Sequence, residues 1–158
     1  MAVTYKEMHE KMSGIQNEIQ KRENFLRKIT QKFVNAYKCS LKLENDYWTD
    51  IEGKDQPYVL IGDIEEGSFT KKLINDININ GNIIKLAIVT VVDDSPRGGS
   101  TAGCVVKIST DKYAEEINIE FQTKKGKQEV IIRDDDWRKA CEVLADVTYM
   151  NISRYEKF

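Results

Sequence analysis

The stretch Leu73-Ile-Asn-Asp-Ile-Asn-Ile-Asn-Gly-Asn-Ile-Ile-Lys-Leu-Ala-Ile-Val-Thr-Val-Val92 decides the fold, because β-favouring residues stand on both sides of an Asn80-Gly81 pair. Asn-Gly favours a tight hairpin turn, since both residues tolerate the positive φ that such turns demand. Taken as the whole turn, the pair sets Ile79 against Asn82, Ile77 against Ile84, Asp76 against Lys85 and Leu73 against Ile88. Apolar then meets apolar and charge meets opposite charge, which favours a two-residue turn over a three-residue one. The second strand reads Ile84, Leu86, Ile88, Thr90, Val92 on one face and Ile83, Lys85, Ala87, Val89, Val91 on the other. With neither face clearly polar, 83–92 is expected in the middle of a sheet. The first strand alternates as a half-exposed strand does.

Working outward, a 158-residue chain with 41% hydrophobic and 32% charged residues has room for one ordinary domain with a sizeable core, taken as 1–158. A formal charge of −2 is too small to argue for a nucleic-acid phosphate footprint or for an acidic mimic of nucleic acid. Cys39, Cys104 and Cys141 are odd in number and widely spaced, which suggests neither a disulfide framework nor a zinc knuckle. The N-terminal residues lack the apolar core of a signal peptide, and no run approaches membrane-spanning length. The expectation is a cytoplasmic protein with reduced thiols, without cofactor or metal.

From Thr4 to about Tyr37 the pattern is helical: Met8, Met12, Ile15, Ile19, Leu26, Ile29 and Phe33 are spaced by alternating fours and threes, with Arg22 alone interrupting the seam. Thr4 and Glu7 have the form of a capping box. A continuous helix of this length would span about 50 Å, more than the roughly 40 Å of a compact domain this size. Either it bends or frays at Gly14, or the overhang is covered by a second copy. A parallel two-stranded coil would set Glu18 against Glu23 of its partner and bury Arg22, so that geometry is disfavoured; an antiparallel or swapped contact stays open. The surface considered for interaction is Met8, Met12, Ile15, Ile19, Arg22 and Leu26.

Tyr37, Cys39, Leu41 and Leu43 alternate with polar residues and suit a short strand, followed by turn-rich sequence around Trp48. Tyr58 to Ile64 reads as another strand. After the central hairpin, Asp93 to Gly103 forms a long polar, glycine-rich connection, and Cys104 to Ser109, Glu116 to Thr123 and Gln128 to Arg133 continue the sheet. Closing the last turn with Thr123 opposite Gln128 sets Phe121 against Val130 and Ile119 against Ile132. Asp134-Asp-Asp136 is expected to start a helix burying Trp137, Ala140, Cys141, Leu144 and Thr148. The architecture is α+β: a long N-terminal helix, an antiparallel sheet of about five to seven strands, and a C-terminal helix, with both helices on one face.

No constellation of catalytic residues stands out. Gly98 to Gly103 has the outer spacing of a phosphate loop, but Cys104 and Val105 replace its lysine and hydroxyl residue and no helix follows. Arg97, Ser100 and Thr101, with Asp93 and Asp94 at the strand end, remain the residues for a small anionic ligand. Helix capping accounts for Asp134, Asp135 and Asp136 better than a cation site does. His9 has no motif partner, and Cys104 reads as a core thiol. The reading is a non-catalytic protein-binding module that self-associates; nucleic acid and membrane are not expected partners. The alternatives are a binder or enzyme for a phosphorylated or nucleotide ligand at the Asp93–Gly103 loop, and a bacterial or phage accessory protein that inhibits or shelters one partner.

Overall fold

A computed structural model describes residues 2–110 and 116–152. Along the chain, α1 (Tyr5–Ser40) is followed by β1 (Tyr47–Thr49), β2 (Asp55–Pro57), β3 (Val59–Glu65), β4 (Ser68–Lys71), a 3₁₀ turn (Ile74–Asp76), β5 (Ile79–Asn80) and β6 (Ile83–Val91). Then come β7 (Thr101–Thr110), β8 (Ile117–Thr123), β9 (Gly126–Ile132) and α2 (Arg138–Ile152). The main sheet is antiparallel in the order β4-β3-β6-β7-β8-β9, and β5 pairs with β6 beyond the end of β3. The α+β expectation and the central place of the 83–92 strand both hold. A separate two-stranded ribbon, β1-β2, carries Trp48.

The helices lie on one face. Ile84, Leu86 and Ile88 of β6, Val106 and Ile108 of β7, and Ile119 and Phe121 of β8 share a buried cluster with Phe33 of α1 and Leu144 of α2. Phe33 meets Phe121 edge-on at 6.2 Å and stacks on Trp137 at 5.8 Å, so one α1 side chain touches both the sheet and the residue that leads into α2. The Tyr37 hydroxyl hydrogen-bonds the Thr90 hydroxyl at 2.7 Å inside this core. Burial pushes the ionisation of Tyr37 upward.

Local sequence readings needed correction in several places. The strand expected over Leu73–Ile79 is mostly a 3₁₀ turn, and only Ile79 and Asn80 pair with β6. Its register is Asn80 opposite Ile83 and Ile79 opposite Ile84, which makes Gly81-Asn82 the turn. Gly81 alone has positive φ, at 66°, the pattern of a II′ turn with glycine first. The Asn82 amide donates to the Thr110 carbonyl and so ties this turn to β7. Ile77, freed from pairing, turns into the core instead.

The hairpin partner not foreseen for β3 is β4, across a Glu66-Gly67 turn with φ of 51° and 81°. Lys72 beyond it bonds Asp63 at 2.7 Å and Glu65 at 3.0 Å. Of the strand expected over Tyr37–Leu43, Tyr37 to Ser40 are instead the end of α1 and 41–42 a turn, because Tyr37 is needed in the core and the Ser40 hydroxyl satisfies its carbonyl. In the β8-β9 hairpin Thr123 faces Gly126, Phe121 faces Gln128 and Ile119 faces Val130, two residues from the expected register. The expected buried face of α2 is present, but the helix begins after the aspartates: Asp134 and Asp135 take left-handed φ, and the Asp136 carboxylate accepts the Arg138 amide. Any continuation of α2 from Ser153 to Tyr155 lies outside the described residues.

Candidate functional site

Two halves of α1 meet different surroundings. The N-terminal end is fixed by Thr4, whose hydroxyl accepts the Glu7 amide at 3.2 Å, and the helix runs unbroken through Gly14 rather than fraying there. Leu26, Ile29, Thr30, Phe33, Val34 and Tyr37 are buried, so Leu26 is closed to a partner by its own domain. Met8 (57% exposed), Met12 (55%), Ile15 (44%) and Ile19 (45%) stand in solvent, as does Arg22. The open half, Tyr5 to Arg22, is therefore about five turns long, or about 27 Å.

The stripes also differ in width. In the seated half the buried side chains occupy four heptad positions, a broad band of the kind a helix lays on a sheet. In the open half apolar residues keep to the two seam positions of the heptad, with Lys11, Gln16 and Glu18 beside them, which is the narrow seam that fits a single facing helix. Spacing alone had merged the two halves; width separates them.

The connection between β6 and β7 is shorter than expected, running over 92–100, because Thr101, Ala102 and Gly103 already pair with Val91, Thr90 and Val89. Its carboxylates are engaged. Asp93 accepts from the Ser95 amide at 3.1 Å and the Ser95 hydroxyl at 2.7 Å, and these donors hold its carboxyl below the usual range. The Asp93 carbonyl accepts the Gly99 amide, and a side chain at Gly98 would collide with the Asp93 carboxylate. Asp94 accepts the Tyr58 hydroxyl at 2.7 Å, which pushes the ionisation of Tyr58 up.

Trp48, half-buried, donates its indole N–H to the Pro57 carbonyl and lies close over Gly99, whose φ of 98° suits glycine. Arg97 is exposed and has no hydrogen bond or ion pair among the described residues. The Ser100 carbonyl accepts the Val92 amide, while Thr101 belongs to β7 and lines a groove on the sheet. Among the described residues no hydrogen bond draws Arg97, Ser100 and Thr101 into a common cradle with the aspartates.

A third surface is the sheet face turned away from the helices. There Ala87 and Val89 are nearly buried although no helix among the described residues covers them; Gly62 stands opposite Ala87 and Gly103 opposite Val89. A Cβ on Gly103 would lie 2.9 Å from a Val89 methyl. A shallow groove of about 500 Å³ runs between Ile64, Phe69, Val89 and Thr101, and one of about 660 Å³ lies toward Asp63, Lys85 and Lys107. Sequence reasoning noted the apolar second face of β6 but not the small neighbours that make it flat. Glycines at 62 and 103 were the available signal.

Cys104 is buried, with its thiol directed at the Gln122 carbonyl and its pKa pushed up to about 12 by desolvation, so it is a core side chain and a poor nucleophile. Among the described residues no group of three or more His, Cys, Asp or Glu side chains is placed to hold a metal ion, and no helix is long and apolar enough to cross a membrane. No family model matches the chain, and neither a curated protein nor a solved structure matches it.

Proposed function

We propose that this protein is a cytoplasmic protein-binding module that associates with itself through the open half of α1. The observation that carries the reading is the apolar stripe Met8, Met12, Ile15 and Ile19, held out on a continuous helix and left exposed among the described residues. An 18-residue stretch with a glycine near its centre has little helical stability alone in water, so a partner that covers the stripe also supports the helix. The three free cysteines, two of them buried, fit a reducing compartment.

Light scattering on the full chain is expected to give a multiple of 18.2 kDa. Replacing Ile15 and Ile19 by glutamate is expected to reduce this to a monomer whose sheet still unfolds cooperatively, because both residues project away from the core. A monomeric unmodified chain at high concentration would defeat the proposal.

A second reading, a small anionic ligand at the 92–100 loop, rests on Arg97, which is exposed and has no partner among the described residues. Calorimetric titration with inorganic phosphate and with nucleotides, repeated on Arg97→Ala, tests it: binding that the substitution removes would favour this loop over the helix.

A further inference from the structure

We infer that the occupant of the open half of α1 is the same half of a second copy, lying antiparallel with Met12 facing Ile15 of the other chain. The inference rests on the self-association proposed above and specifies its geometry. Four observations converge on it.

The seam is narrow, so its complement is one helix rather than a sheet. In the antiparallel register that pairs Met12 with Ile15, Met8 meets Ile19, and every exposed stripe residue faces another stripe residue. The residues flanking this seam then face their counterparts: Lys11 lies beside Glu18 of the second copy, and Glu18 beside its Lys11, two opposite-charge pairs from one symmetry axis. Sliding by one heptad destroys this. Toward less overlap the slip brings Lys11 against Lys11, and toward more overlap it brings Glu18 against Glu18.

The length agrees as well. This register overlaps Tyr5 to Arg22 of each chain, which is the part of α1 left open among the described residues, and stops before the buried Leu26. A longer overlap would need Leu26, which the domain has already taken. Arg22, the interruption in the seam, falls at the end of the pair opposite Tyr5, an aromatic 80% exposed in the single chain. A guanidinium over a tyrosine ring is favourable there, and the charge keeps its access to water. Gly14 faces outward, where nothing lies within 4 Å of a Cβ position, so the close of the two helices does not depend on it. Parallel pairing instead sets Glu18 against Glu23 and stacks Arg22 on Arg22.

The test is a dilution series of the full chain by analytical ultracentrifugation, with Lys11→Glu, Glu18→Lys and the double exchange. Each single reversal turns two attractions into two repulsions and is expected to weaken the dimer about tenfold. The double exchange restores both pairs and is expected to return affinity to that of the unmodified chain.

Orientation is read separately by energy transfer between dyes on the exposed Cys39, the two buried thiols being left unlabelled. An antiparallel pair holds these sites about 75 Å apart along the helix axes, giving little transfer. A parallel pair brings them within about 30 Å, giving strong transfer. Strong transfer, or a double exchange weaker than either single reversal, overturns the antiparallel register while self-association stands. A monomeric unmodified chain removes both proposals.

Discussion

The two halves of α1 share one spacing of apolar residues and differ in everything that spacing does not encode. From Leu26 to Tyr37 the side chains are buried to within a few per cent, and the band they form is wide. From Met8 to Ile19 the band is narrow and each residue is about half exposed. Periodicity therefore states that a face wants cover, while the width of the band and the charges along its edges state what kind of cover. A sheet accepts a wide, unevenly shaped band; a second helix takes a seam two residues wide bordered by charge.

The sharpest way to test the comparison is to remove one large side chain from each half. Phe33→Ala is expected to cost about 3–5 kcal/mol in denaturant unfolding, because the ring fills the junction of both helices with the sheet and leaves a cavity there. Its counterpart, Met12→Ala, belongs at the other end of the scale. At concentrations where the chain is monomeric it is expected to change stability by less than about 0.5 kcal/mol. A cost for Met12→Ala near that of Phe33→Ala in the monomer would mean that the open half packs on its own domain.

A smaller effect is expected from Tyr37→Phe, which leaves the nearly buried Thr90 hydroxyl without its partner, at about 1–2 kcal/mol. The core on which the seated half lies also carries an alkaline limit. Burial raises the ionisation of Tyr37 and lifts that of Cys104 from 9.0 to about 12. The unfolded chain gives up these protons at lower pH than the folded one, so stability is complete below pH 9 and falls as pH rises toward about 12. The slope approaches about 1.4 kcal/mol per pH unit for each group while the two states differ in its proton. Unfolding midpoints measured from pH 8 to 11 should show the decline, and Cys104→Ala should flatten its early part.

Smaller again, and confined to the open half, is Gly14→Ala, expected to add about 1 kcal/mol of helix stability. The gain should appear as slower amide exchange around Gly14 and as tighter association, with the sheet unchanged.

Faces were legible in the sequence where partners were not. The strands Ile83–Val91 and Ile117–Thr123 bury the side chains their alternation indicates, yet both hairpins beside them are paired two residues away from the register that side-chain matching selected. A slip of two leaves every residue on its own face, so alternation cannot detect it; only a slip of one would expose the core. What fixed the register lay far off in sequence. Asn82 is held by the Thr110 carbonyl, and Ile77 is drawn out of the strand by the core.

The end of α1 was misread for a related reason. Tyr37, Cys39 and Leu41 alternate like a strand, but the depth at which Tyr37 reaches Thr90 keeps the backbone helical. Of the candidate surfaces, the helical stripe was visible as a pattern and its length as an excess. The engaged state of Asp93 and Asp94 was not, because Tyr58, which holds Asp94, is 36 residues away.

The long helix is also a cantilever. Clamped over its last turns by Phe33, Tyr37 and their neighbours, it carries about 27 Å of rod that no other described residue buries, so a tilt of about 10° at the clamp swings its tip by about 5 Å, close to one helical turn. A substitution that merely reseats Phe33 against Trp137 would thus present the tip to a partner from a new direction while every residue on the tip stayed the same. Packing around those two rings sets the aim of a surface to which neither contributes an atom.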